Sequence, residues 1–594
     1  MKIEYKAERE RLDFFRALYA DALSAYAEEL TSLERCMKQY RGTDEIDGSD
    51  TRAITVRNIT YEIVESQVLS DIPMPKADPA SYSVRRSRNA ESIERLCRSL
   101  RDRLPFEEFN DIDERYTYIY GGSVWYAEWD NSTEYDGEVG GVRVHCISPR
   151  DFLPQPGIHK IEDMEYCFLR FTTTRGELSR KYGVDGEEAA LADLEYEWGG
   201  EGDAVTLTLC FYRDEDGDIG RFIFSGELTL SDMPKYYMRK GRVCSVCGSE
   251  AGLCSCVGAH TLTKNLTYEL IPEDIILGDG ATLPADAPSL DGDKIKMGRS
   301  RIPYYVPRSF PIVIRKNTSG EKSLFGQSDC DYIRPEQQAI NKIESRILAK
   351  LLRSGITPIM PEDASVTLNN SVFGQVIKMK PGESAAQYGT VDTTPDISQD
   401  IAEAERLYDH AKRIIGISDA YQGVDTHKSE SGYARQLRIS QASGRLESKK
   451  RMKHTAYAAL DKIIFGLYLA FADEPRKLAY RDAFGTVHPT EFNRYDFIEY
   501  DLYRGEFFYD DGYLFSVDQN GGAEYQREAL WERNLENLKA GTLGNPESPA
   551  TLLRYWQSQE RAHYPYAREN VEYFSRALEE KGVDISYEEN EFKP

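Results

Sequence analysis

The chain has 594 residues, 40% of them hydrophobic and 29% charged, with 74 basic against 100 acidic side chains and a net charge of −26. It is too long for one core and too apolar for a disordered chain, so three or four packed regions are expected. Its longest apolar run, 463–472, is about half of what a bilayer-spanning helix needs, and the charged start lacks the apolar core of a secretory signal. That composition argues against a membrane protein, a small secreted disulfide scaffold and a chain whose whole surface grips phosphate.

In chain order, the first forty residues read as one helix, with Leu12, Phe15, Leu18, Tyr19 and Ala22 at three- and four-residue steps. A turn-rich stretch covers 41–50, and Pro73, Pro75 and Pro79 mark a break. A second helix is expected from about Asn89 to Asn110, with Ile93, Leu96, Leu100 and Leu104 on one face. From Tyr116 to Arg175 the pattern reads as β, because Tyr116, Tyr118 and Tyr120, then Val142 and Val144, alternate with other residues. Alternation returns over 204–230, around a hairpin turn at Asp216-Gly217. The same acidic run opens like a calcium loop but has Ile219 and Ser225 where that loop needs Gly and Glu.

Residues 277–310 read as loop. A helix is then expected over 328–353, striped by Ile333, Ile340, Ile343, Ile347 and Leu351, with Ser328, Asp329 and Asp331 to cap it and Pro335 tolerated in its first turn. A proline-punctuated stretch with short strands follows, then a helix to Ile415 striped by Ile397, Ile401, Ala404, Tyr408 and Ala411 and ended by Gly416. After a polar loop over 416–431, a long helix runs from Gly432 to Ala472, with a kink expected at Ser443-Gly444. The remainder is strand-like first (492–503, 505–517) and helical at the end.

Two features carry chemistry. Of ten cysteines, six are scattered, as in a reducing compartment, and four sit together as C-x2-C-x6-C-x-C: Cys244, Cys247, Cys254 and Cys256. Two close thiol pairs suit a closed, structural tetrahedral Zn²⁺, with His260 able to replace one sulfur; four reduced thiols in a loop, or a disulfide if oxidised, are the alternative. The second feature is a basic island between Gly432 and His454: Arg435, Arg438, Arg445, Lys449, Lys450, Arg451 and Lys453 against the single acid Glu447. It reads as a solvated face, as partners for acidic neighbours, or as a surface meeting an acidic subunit or a phosphate backbone. Phosphate-loop, zinc-protease and nucleophile-elbow motifs are not spelled out.

The strings LFGQSDCDYIRPEQQAINKIESRILAKLLRSG (324–355), DIAEAERLYDHAKRIIGISDA (400–420) and SESGYARQLRISQASGRLESKKRMK (429–453), in the order helix, insertion, helix, polar loop, long helix, resemble tailed-bacteriophage portal proteins. The resemblance is specific in the central third and loose elsewhere. It implies an α+β, portal-type subunit: a mixed α/β wing over 1–327, with a four-cysteine zinc-knuckle insertion at about 240–260; stem helices at 328–353 and 396–415; a β-containing clip at 354–395; a tunnel loop at 416–431; a long kinked channel helix at 432–474; and a wing return with a helical C-terminal crown at 475–594. It further implies a non-enzymatic homo-oligomer of about twelve subunits at one capsid vertex of the virion, assembled in the bacterial cytoplasm. Such a head-tail connector passes double-stranded DNA in packaging and ejection. It docks the terminase large subunit and then head-completion or tail adaptor proteins, and meets major capsid and scaffolding proteins. His427, Lys428 and Ser429 are the DNA-facing candidates. The alternatives are a metal-dependent nucleic-acid enzyme and a zinc-containing cytoplasmic scaffold protein.

Overall fold

The computed structural model describes residues 8–43, 55–68, 71–81, 83–135, 138–185, 204–238, 240–244, 261–265, 268–270, 301–320, 323–353, 356–359, 389–392, 395–417, 444–481, 487–501, 506–518, 523–546, 548–561, 564 and 567–579. The fold is mixed helix and sheet, of the α+β kind.

The expected first helix is two, α1 (Glu8–Ala25) and α2 (Ala27–Arg41), meeting at Tyr26. The bend serves two different partners. Leu12, Phe15 and Ala22 of α1 pack on a sheet, whereas Leu33 and Cys36 of α2 pack beside Tyr118, Ile119 and Cys330. Helix α3 (Ile59–Glu65) follows, and then strand β1 (Met74–Pro79) occupies the stretch read as a proline break. Prolines are tolerated there because Ala77 turns its N–H away from the neighbouring strand, to Glu94 Oε1 at 3.0 Å. Pro75 and Pro79 share that direction, so no ladder bond is lost.

Helix α4 (Val84–Arg103) ends before Pro105, and α5 (Phe106–Tyr120) continues through the residues read as the start of β structure. Tyr118 OH donates to Glu114 Oε2 at 2.9 Å, a one-turn helical pair, and Gly121 closes the helix at φ 86°. The tyrosine alternation was a coincidence of composition, overridden by burial of Phe106, Phe109, Tyr118 and Ile119.

Two antiparallel sheets follow. One takes β2 (Gly122–Tyr135) and β3 (Glu138–Ile147). The other is a five-stranded meander of β4 (Phe152–Pro154), β5 (Tyr166–Thr174), β6 (Ala204–Arg213), β7 (Ile219–Ser225) and β8 (Leu228–Met233), with the short helix α6 (Arg175–Tyr182) after β5. The β6–β7 turn is the expected one, with Gly217 at φ 81°. The period of two sorts the meander's side chains. Tyr166, Phe168, Cys210, Tyr212, Phe222 and Phe224 face α1, where Phe15 stacks on Phe222 at 4.5 Å. Cys167, Leu169, Leu209, Phe211 and Ile223 face the main core.

Strands β9 (Lys240–Cys244) and β10 (Thr261–Asn265) pair with each other, and β11 (Tyr268–Leu270) pairs with β12 (Arg301–Pro303). Strand β13 (Ile312–Lys316) joins β2 to complete the three-stranded sheet. Helix α7 (Asp329–Arg353) and helix α8 (Ser398–Ile415) are linked by a ladder between β14 (Ile356–Ile359) and β15 (Gly389–Asp392). Pro335 lies in the second turn of α7, one turn later than expected. Helix α9 (Gly444–Phe471) crosses the main core, where Tyr457, Leu460, Ile464, Phe465 and Tyr468 are buried. The expected start at Gly432 lies outside the described residues.

Two further hairpins, β16 (Arg476–Arg481) with β17 (Val487–Phe492) and β18 (Ile498–Asp501) with β19 (Glu506–Tyr509), lead to β20 (Tyr513–Asp518), which pairs with β1. The chain then forms α10 (Ala523–Lys539), α11 (Pro549–Arg561) and α12 (Ala567–Glu579), as expected for its helical end.

Candidate functional site

The string 324–330, which opens the resemblance, is where α7 is rooted. Gly326 lies against the backbone of the turn after α5. A Cβ there would stand 2.3 Å from Thr318 O and 2.8 Å from Gly121 O, so only glycine allows the crossing. Ser328 starts the helix: its hydroxyl accepts from Cys330 N at 3.0 Å and donates to Ile119 O. Asn317, just past β13, takes Gly121 O through its backbone N–H at 2.9 Å. Its side-chain amide donates to Gln327 O at 2.9 Å and to Asp329 Oδ1 at 2.8 Å.

Asp329 opens a buried charge cluster. Lys449 of α9 reaches its Oδ2 at 2.6 Å and Gln67 Oε1 at 2.9 Å, and Gln67 Nε2 donates back to Asp329 at 2.9 Å. One turn along α9, Lys453 meets Glu114 Oε1 at 2.9 Å and Asp71 O at 2.6 Å. Arg315 of β13 pairs with Glu114 at 2.8 Å and also with Asp113, which accepts from Ser123 and, at 2.7 Å, from the Trp125 indole. Three cations thus face three anions, each side chain at most 7% exposed. Burial pushes the Glu114 carboxyl up, but Arg315 and Lys453 outweigh it and hold the pKa below the usual range. Burial lowers the Lys453 ammonium's pKa, with Glu114 opposing. For Arg315, Asp113 and Glu114 overcome burial and raise it.

The basic island is therefore not one solvated face. Lys449 and Lys453 are spent inside, as partners of acidic neighbours, while Arg451 stays exposed, 3.6 Å from Glu447. The cluster's acids were missed because a charged residue on a helix or strand reads as surface. A signal was present: Lys449 and Lys453 continue, at four-residue steps, the stripe of Tyr457, Asp461 and Phe465, all buried.

Beyond its root, the α7–α8 hairpin is packed by Ile333 and Ile340 against Tyr408, Ala411, Ile415 and the α3 residues Ile59 and Ile63. Ile343 and Ile347 cover Ala404 farther out. Residues 55–60 lie along the groove: Ser345 Oγ accepts from Thr55 N at 3.1 Å, Gln337 Nε2 donates to Arg57 O at 2.7 Å, and Arg57 reaches Glu405 at 2.9 Å. Asp400 pairs with Arg346 and Lys350. At the outer end, Leu351, Leu352 and Ile401 are exposed.

His427, Lys428 and Ser429 lie outside the described residues, as do Cys247, Cys254 and Cys256. Cys244 is the last residue of β9, its backbone opposite Thr261 of β10. Asp214, Asp216 and Asp218 bring their carboxylates within 4.8 Å of one another. Lys235 already stands there, 2.8 Å from Asp218 and 3.5 Å from Asp216, and Asp214 Oδ1 accepts from Asp218 N, so turn structure accounts for the trio. Among the described residues, no helix is long and apolar enough to cross a membrane. Set against known proteins, the chain matches no protein-family model and no curated sequence.

Proposed function

We propose that the chain is the subunit of a portal-type ring, a non-enzymatic conduit for double-stranded DNA at a capsid vertex. The observation that carries this reading is the succession of α7, the β14–β15 ladder, α8 and then the core-crossing α9, with the hairpin rooted on a buried charge cluster and its outer apolar residues Leu351, Leu352 and Ile401 uncovered. Apolar residues at the end of a helical hairpin favour burial against neighbours, as a ring of such hairpins would supply. On this reading the hairpin end meets the terminase and later the adaptor proteins, and His427, Lys428 and Ser429 face DNA. Electron microscopy of the purified chain tests it: class averages with a central hole wide enough for duplex DNA, near twelvefold symmetry, are expected. Compact particles without a hole, across a hundredfold range of concentration, would overturn it.

The cysteine cluster supports a second, separable reading, that of a structural zinc site. Cys244 pairs with Thr261, and Cys247, Cys254, Cys256 and His260 fall between those two positions in the sequence. Four thiolates of this spacing suit zinc. One zinc per chain by elemental analysis, lost in Cys244→Ser with Cys247→Ser, is expected; metal-free wild-type protein refolded with zinc would refute it.

A further inference from the structure

We propose that the buried charge cluster is a coupling device, which makes the N-terminal turns of α9 and the root of the α7–α8 hairpin open and move as one unit. Six charged side chains buried together are a costly way to fill space, since well-packed apolar residues are often neutral or stabilising in their place. What ion pairs supply and apolar packing does not is geometry: each bond fixes one partner in one position, whereas apolar faces can slide.

The connections are arranged for that use. Lys449 and Lys453 sit one turn apart on α9, yet they grip different elements. Lys449 holds Asp329 at the start of α7 and Gln67 just past α3; Lys453 holds Glu114 of α5 and the backbone at Asp71. Arg315 closes the circuit from β13 onto Asp113 and Glu114, and Asn317, two residues farther on, holds Asp329 from the other side. A rotation or slide of this end of α9 therefore breaks bonds to several elements together. The grip also changes along the helix. From Ala456 onward its inward residues are largely apolar, joined by the Asp461–Arg101 pair, whereas at Lys449 and Lys453 the hold is ionic. The use of the coupling, though not its existence, rests on the portal reading: α9 leads out of the segment assigned to the DNA-facing loop, and α7 leads to the end assigned to partners. Binding at either end would then bias the other by the same free energy.

Hydrogen exchange of the full-length chain, followed by mass spectrometry across a range of sub-denaturing urea, tests this without reference to ring formation. In the wild type, amides of 329–336 and 446–455 should lose protection at the same urea concentration. The pair Lys449→Met with Asp329→Asn keeps the cluster balanced and should split them, with 446–455 exchanging at least tenfold faster than 329–336 at low urea. Lys449→Gln with Asp329→Asn, which cuts the same link and also keeps the cluster balanced, provides a second pair in case the first does not fold. A Leu460→Ala variant, which weakens the apolar grip of α9, should shift both segments together. Separate opening of the two segments in the wild type, or joint opening in a folded balanced pair, would overturn the proposal. A coupled pair in a chain that forms no ring would leave the coupling standing and remove only its assigned use.

Discussion

Arg315→Met is expected to be among the most damaging single substitutions in the described chain. The methionine follows the apolar part of the arginine stem, so little cavity opens. What is lost is the charge: Asp113 and Glu114 remain buried with Lys453 alone, and the cluster goes from three cations against three anions to two against three. Removing one partner of a buried ion pair costs about 3–5 kcal/mol, mostly the penalty of the charge left behind. A domain has roughly 5–15 kcal/mol in all. Because a chain of several packed regions need not unfold in one step, the readout should be local: urea-dependent hydrogen exchange of the α5 segment, beside the Trp125 indole that donates to Asp113. Adding Asp113→Asn restores the balance at two against two and keeps an acceptor for Trp125 and Ser123, so at least half the loss should return. The reasoning fails if Arg315→Met costs under about 1 kcal/mol, or if the double variant is no better than the single.

Phe15→Ala removes a ring buried between Phe222 and Tyr212 and should cost about 3–5 kcal/mol locally, seen as protease cleavage within α1 while the main core stays protected. Gly326→Ala forces two backbones apart and should destabilise by at least about 1–3 kcal/mol, whereas Gly176→Ala, with nothing within 4 Å of its Cβ, should be neutral or slightly stabilising in urea titration. Asp400 titrates below its ordinary value of 3.8, chiefly through the hydrogen bond from Lys350 and then the charge of Arg346. A lowered carboxylate stabilises fully above its unfolded pKa and is lost as pH falls through the folded one. Protease resistance of the hairpin should therefore hold steady from pH 7 down to about pH 4 and fall below it; Asp400→Asn should already show the weaker resistance at pH 7.

What was legible in the sequence was what a single face decides. The stripe from Ile333 to Ile347 fixed α7 within a residue at each end, and Gly416, at φ 92°, ended α8 as expected. The Asp216-Gly217 turn was equally plain. Failures came where a partner distant in sequence decided. Whether Tyr116, Tyr118 and Tyr120 lie on a strand or a helix depends on the packing of α2 and α7 around them. Strand β1 exists because β20, more than four hundred residues later, pairs with it in a register that spares its prolines. The cluster itself is assembled from α5, β13, α7 and α9, and no local pattern announces a salt bridge between residues more than a hundred positions apart.

The inward lysines also change what the charge balance can mean. Three of the chain's cations are matched inside by three anions, so the cluster is neutral and the surplus of −26 stands entirely on the rest of the molecule. Of the seven cations in the basic island, Lys449 and Lys453 are turned inward and the exposed Arg451 faces Glu447, while Arg435, Arg438 and the Arg445 side chain lie outside the described residues. A protein that clamps DNA needs several cations at the phosphates at once, with affinity that falls steeply with salt. Lys449 and Lys453 cannot be among them, because both are held by buried carboxylates. A conduit has the opposite need, because duplex DNA that must slide is best left unheld. Burial of Lys449 and Lys453 therefore narrows what this end of α9 could contribute to a nucleic-acid clamp.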